Sequence, residues 1–177
     1  MSKPQLPARR VLAFALLLAP LLLSGCSDNA DTVATVRRAM AIEHGEECHL
    51  CGMIIENQPG PKGQLYEREV ATPHKFCSTR DLFAYLLDPE HKHRIESVFV
   101  HDMAVTPWDH PDDQTYIDAR QAWYVVGSKR EGGMGPTLAS FADRAVAELF
   151  IEEFGGRLYR FDQIDLDLIS SMSPMAM

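Results

Sequence analysis

Phe76-Cys77-Ser78-Thr79-Arg80-Asp81-Leu82-Phe83-Ala84-Tyr85-Leu86-Leu87-Asp88-Pro89 is the stretch on which the fold turns. Ser78 stands where a helix needs an N-cap, because its hydroxyl can accept the backbone N–H of Asp81. Leu82, Phe83, Leu86 and Leu87 follow at helical spacing, and Asp88-Pro89 stops the run. The spacing predicts a short helix. A similar signature recurs where Leu138-Ala139-Ser140 precedes Asp143, predicting a second helix over 138–154 closed by Gly155-Gly156 as a left-handed C-cap. Around the first helix, 53–56 and 64–70 read as strands flanking a turn-rich loop at 57–63, and 97–103 as the strand that follows. Around the second, 116–118 and 122–126 read as strands ahead of it and Leu158, Tyr159 and Phe161 as the strand behind, with a last helical turn over 164–169. The pattern is a faint repeat: an α+β fold of two related strand-strand-helix-strand lobes, about 46–103 and 114–166. That alignment sets Cys77 opposite Ala139, so Cys77 reads as a small buried side chain.

The flanks are of a different kind. Residues 1–25 combine a basic start (Lys3, Arg9, Arg10) with an apolar run from Val11 to Leu23 that is too short to span a bilayer. Leu23-Ser24-Gly25-Cys26 then resembles the bacterial lipobox, which marks Cys26 for lipidation and 1–25 as a signal peptide. Several acyl chains, at roughly 0.8 kcal/mol per buried methylene, would anchor the chain stably to a membrane. Ser27 after the cysteine favours the outer over the inner membrane, facing the periplasm. Residues 26–45 read as a lipidated, flexible tether, 46–171 as the folded domain, and the Met-rich 172–177 as a disordered tail. Loss of 1–25 moves the formal charge from -8 to about -11, which leaves no electrostatic footprint for nucleic acid.

The sequence holds four cysteines, and with Cys26 committed to lipid an odd number remains for an oxidising compartment. A disulfide framework explains Cys48, Cys51 and Cys77 poorly; reactive or metal-bound thiols explain them better. In Cys48-His49-Leu50-Cys51-Gly52-Met53 the thiols bracket a tight turn at which Gly52 can adopt positive φ. Such spacing serves zinc knuckles, redox motifs and copper sites alike. Structural zinc wants four ligands, and only His91-Lys92-His93 and single histidines stand by to complete them. Disulfide exchange wants the motif between strand and helix, whereas here it precedes an apparent strand.

Cu(I) is soft and is satisfied by a few thiolate and thioether donors. Met134, in Gly132-Gly133-Met134-Gly135-Pro136, lies outside any apolar periodic run, and flexible glycines would let its thioether swing onto a metal and off again. The candidate ligands are therefore Cys48, Cys51 and Met134. Met53 and Met103 also fit strand packing and His49 fits a solvated surface position, so these three rank behind; His44 and His101 are weaker still.

Glu47-Cys48-His49-Leu50-Cys51-Gly52-Met53-Ile54-Ile55, Pro59-Gly60-Pro61-Lys62-Gly63-Gln64, Lys75-Phe76-Cys77-Ser78-Thr79, Val100-His101-Asp102-Met103, Tyr124-Val125-Val126-Gly127-Ser128 and Gly133-Met134-Gly135 occur in the order that resembles the NosL family of copper-chaperone lipoproteins. The resemblance implies a two-lobed fold similar to part of organomercurial lyase. It also implies one Cu(I) held through a cysteine of the first block and Met134. Delivery to nitrous oxide reductase, for its copper-sulfide catalytic centre, would proceed with a membrane ABC-transporter complex and its periplasmic partner. Such a protein binds and transfers and is not an enzyme. The rivals are a thiol-dependent enzyme of organomercurial-lyase type, a likeness of fold alone, and a zinc-stabilised periplasmic interaction module.

Overall fold

The computed structural model describes residues 36–172, and residues 37–172 belong to one compact unit. Cys26 and the leader lie outside the described residues. Strands β1 (Gly63–Glu67), β2 (His74–Phe76), β3 (Ile95–His101) and β4 (Tyr116–Asp118) form an antiparallel sheet in the order β2-β1-β3-β4. Helix α1 (Thr79–Leu87) connects β2 to β3. A second antiparallel sheet, of β5 (Trp123–Val126), β8 (Ala139–Phe141) and β9 (Arg157–Arg160), runs in the order β8-β5-β9. Between β5 and β8 rises a hairpin of β6 (Glu131–Gly132) and β7 (Gly135–Pro136). Helix α2 (Arg144–Phe154) connects β8 to β9, and α3 (Leu166–Ser171) ends the described chain. No helix among the described residues is long and apolar enough to cross a membrane.

The two lobes repeat each other, in a register that differs from the sequence alignment by three residues. Gly63 of β1 pairs with Phe76 and Val100, and Trp123 of β5 pairs with Phe141 and Arg160. Each helix starts two residues past the paired phenylalanine, at N-caps Ser78 and Asp143. The Ser78 hydroxyl accepts from Asp81 N, while the Asp143 carboxylate accepts from Ala145 N and Val146 N. Asp143 is thus a cap in its own right and not the partner of Ser140. Residues 139–141, expected in a helix, form β8, and Cys77 corresponds to Ala142 rather than Ala139.

Other expectations shift with it. The strand expected at 53–56 reduces to one bridge between Ile54 and Glu47, because the Cys48 turn folds this segment back on itself. β4, expected to open the second lobe, pairs instead with β3 and completes the first sheet. Residues 37–42, expected within a flexible tether, lie against that sheet: the Gln64 side-chain amide holds both Met40 N and Met40 O, and Tyr66 Oη donates to Arg38 O. Met172, expected in a loose tail, is buried in the main core; 173–177 lie outside the described residues. Gly155 caps α2 at φ +74°, as its position after Phe154 predicts.

Candidate metal centre

Cys48 and Cys51 sit on the loop ahead of β1, and local hydrogen bonds fix its shape. Cys48 N donates to Met53 O at 2.8 Å, and Gly52 N donates to Cys48 O at 2.9 Å. Gly52 takes φ +74°, which a residue with a Cβ rarely adopts. His49 N then docks the loop on β2 by donating to Lys75 O at 2.8 Å. Lys75 Nζ clasps the same region from below, reaching Ala41 O and the Glu46 carboxylate, each at 2.6 Å.

Cys77 occupies the junction of β2 and α1, and Asp81 follows four residues later in the first turn of α1. Cys48, Cys51, Cys77 and Asp81 bring their ligand atoms within 4.8 Å of one another. Cys51 Sγ lies 3.4 Å from Cys77 Sγ, and Asp81 Oδ2 accepts from Cys77 Sγ at 3.5 Å and Cys48 Sγ at 3.6 Å. All but Cys51 are buried. Sequence reasoning missed Cys77 and Asp81 as members of the site, although their spacing beside the Ser78 cap was visible.

The thiols differ in how readily each gives up its proton. A hydrogen bond from Cys77 draws Cys48 down to about 5, against the opposing effect of its burial. Burial chiefly pushes Cys51 up to about 11. Cys77 is held above the ordinary thiol range by its hydrogen bond to Cys48, then by burial. Protons leave such a group as a unit, and Cys48 is the position that favours the thiolate. When Cys48 is a thiol it donates to Asp81; when it is a thiolate it accepts from Cys77. Lys62, brought down to about 8 by burial, places a buried cation near this sulfur group, with Nζ donating to Gly60 O at 3.0 Å and to Gln58 O.

Met134 stands at the turn of the β6–β7 hairpin with 43 % of its surface exposed. The hairpin rests on the first lobe. Thr79 Oγ1, two residues past Cys77, accepts from Leu138 N at 3.1 Å, while Trp108 Nε1, from the second lobe's core, donates to Glu131 O at 2.9 Å. A Cβ on Gly133 would come within 2.0 Å of Gln58 Oε1, so a larger residue there would push the Gln58 side chain aside. The thioether is not part of the thiol–carboxylate group, but it projects from an element seated on the loop and helix end that build it.

The remaining candidates divide. His49 stacks on His74 with ring centroids 3.9 Å apart and meets the edges of Phe76 and Tyr85. Met53 is half-buried beside Cys48, to which it offers its carbonyl. Met103 packs against the second lobe's core with Trp108, Val125 and Phe141, away from the thiols' own core cluster. His101 is fully buried: its Nδ1 accepts from Lys62 N at 3.1 Å, and burial holds it below the ordinary imidazole range. His44 pairs with Glu56 at the surface.

A sequence profile of the NosL family matches residues 39–169. The chain belongs to the NosL family. Two relatives, each called copper-binding lipoprotein NosL, come from Stutzerimonas stutzeri (41 % identity, covering 86 % of this chain and 79 % of that one) and Achromobacter cycloclastes (38 %, covering 85 % and 78 %). The crystal structure of the copper chaperone NosL from Shewanella denitrificans shares 53 % identity and a TM-score of 0.72, over 73 % of this chain and 97 % of that one. These NosL names describe binding and carriage and state no reaction.

Proposed function

We propose that this lipoprotein is a copper chaperone, not an enzyme, which carries Cu(I) on Cys48 and Cys51 with Met134 as an exchangeable thioether, and delivers it to nitrous oxide reductase. One observation carries the reading: sulfur from two separate segments converges at the start of α1, and the chain just past the hairpin that bears the exposed Met134 is hydrogen-bonded to Thr79 of that helix start. The donor set fits the cargo, since soft thiolates and a thioether prefer a cuprous ion to hard cations. Cys48 and Cys77 each hydrogen-bond to Asp81, so the polar groups of the pocket find partners within the protein itself. That suits loading and release. The half-buried Cys51 and exposed Met134 give an acceptor protein a place to bind copper before the buried Cys48 lets go.

Lipidation at Cys26 places the chaperone on the periplasmic face of a membrane, with the outer membrane favoured by Ser27. The membrane ABC-transporter complex and its periplasmic partner fit as further members of the route, and nitrous oxide reductase as its end.

Anaerobic Cu(I) titration of the protein against Cys48→Ala, Cys51→Ala and Met134→Ala tests the reading. Each variant is expected to bind more weakly; if all three bind like the parent, the assigned ligands are wrong. Three thiols and a carboxylate also make a set of four ligands, the number zinc takes. A zinc-stabilised module would unfold under chelators, whereas the chaperone stays folded.

A further inference from the structure

We propose that Cys51 and Cys77 close a reversible disulfide when the pocket holds no copper, so that the site also takes a disulfide donor as a reactant. The two Sγ atoms are 3.4 Å apart, and closing to a bond of about 2.05 Å asks for an approach of about 1.4 Å. The Cys51 side chain can supply it by turning about its Cα–Cβ bond, because Cys51 is only half-buried, whereas Cys77 is fixed between β2 and α1 and is fully buried. Motion of a half-exposed loop sulfur onto a stationary partner needs no repacking of the core.

A Cys-x-x-Cys pair would by default bridge to itself. Here Cys48 is tied down by hydrogen bonds at both its N–H and its carbonyl, is only 3 % exposed, and directs Sγ at Asp81. Cys51 is the one thiol of the three that is not buried, so it meets an external disulfide first. It gives its proton to solvent, and the thiolate attacks one sulfur of the donor, forming a mixed disulfide and expelling the donor's other half as a thiolate that takes a proton back from solvent. Cys77 then passes its proton to Asp81 Oδ2, which already accepts its hydrogen bond, and attacks Cys51 Sγ to expel the second half. Asp81 hands that proton to the departing thiolate, so the two protein thiols give up two electrons and the donor leaves as two thiols carrying the two protons. A thiol group held outside the cytoplasm meets such donors routinely.

The consequence rests on the copper reading above: oxidation withdraws Cys51 and leaves Cys48 alone, while copper held by Cys48 and Cys51 bars the bridge. Loading and oxidation then exclude one another.

The test incubates the mature, copper-free protein with oxidised glutathione, quenches with acid and maps the cysteine peptides. A Cys51–Cys77 cross-linked peptide is expected, retained in Cys48→Ser and absent in Cys77→Ser, with formation slowed at least about tenfold by prior Cu(I) loading. A Cys48–Cys51 bridge, or glutathione adducts without any internal bridge, overturns the proposal, and mapping the unaltered protein gives this answer even if a variant folds poorly. The Cys51–Cys77 bridge without protection by copper upholds the disulfide and counts against the copper reading instead.

Discussion

The two lobes share strand order, pairing register and helix placement, yet only the first carries donor groups at its helix start. Cys77 and Asp81 flank the start of α1, and the corresponding positions beside α2 are Ala142 and Val146. The paired positions Gly63 and Trp123 differ just as sharply. Gly63 lets α1 come so near that a Cβ there would lie 2.5 Å from Leu82, whereas Trp123 fills the space with an indole flanked by Arg144 and Arg160. The helices reflect this: α1 buries Thr79, Asp81, Leu82, Phe83, Tyr85 and Leu86, α2 only Ala147. One lobe therefore builds a closed pocket, and the other supplies a scaffold whose longer β5–β8 connection hands Met134 back across to the first. Function arises where the repeat is broken.

The largest effect should come from the loop thiols that face the first lobe's helix start. Cys48→Ser and Cys51→Ser are each expected to weaken Cu(I) binding by on the order of 100-fold or more, since the loss of supporting groups alone costs 10–100-fold; competition against a chromophoric Cu(I) chelator measures it. Placing the same groups in the second lobe, by Ala142→Cys with Val146→Asp, should create no copper site, because no thiol-bearing loop faces α2. Copper uptake attributable to that double variant would show that the helix end alone suffices.

Proton competition comes next. Cys48 is drawn down to about 5 and Cys51 pushed up to about 11, so between those values metallation displaces one proton, from Cys51, and below about 5 it displaces two. Affinity should fall about tenfold per pH unit on acidification toward pH 5 and more steeply beneath it. A flat affinity across the acidic range would exclude thiolate ligation at both positions. For stability, Gly63→Ala should cost about 1–3 kcal/mol by overpacking against Leu82, read as a lowered midpoint in urea.

Much of this was legible in the sequence, and what escaped did so for physical reasons. The Ser78 cap, the Gly155 stop and the long strands carry strong local signals, and all stand in the structure. The three-residue strands β2 and β8 do not: at that length alternation is invisible, and Ser140-x-x-Asp143 imitates a capping pattern where Asp143 itself is the cap. The packing of 37–42 depends on Gln64, Tyr66 and Asp113 side chains far along the chain, so no local pattern announces it. At the site, Cys48, Cys51 and Met134 stood out by composition. Cys77 did not, because an alignment displaced by three residues set it against a core alanine instead of against the helix start it shares with Asp81.

The clasp under the thiol loop offers a smaller effect. Lys75→Met removes the cation that joins Ala41 O to Glu46 and should cost about 1–3 kcal/mol, since the partly exposed Glu46 can turn to water. Amide exchange at His49, which donates to Lys75 O, should quicken before the rest of β2 does; uniform quickening would mean that the clasp serves the whole sheet and not the loop.

Smallest of all is Arg144→Ala, at the first turn of α2. Its pair with Glu148 is exposed on both sides, with side chains 61 % and 50 % accessible, and its guanidinium lies 5.2 Å from the Trp123 ring centroid. Exposed pairs of this kind contribute at most about 1 kcal/mol, and the cation–π contact adds about 0.5–1 kcal/mol. The expected loss is thus about 1 kcal/mol in urea denaturation, with Cu(I) affinity unchanged, because α2 lacks a donor atom facing the pocket. A change in affinity with this substitution would mean that the second lobe governs where its hairpin sets Met134, and would make the scaffold half a working part of the site.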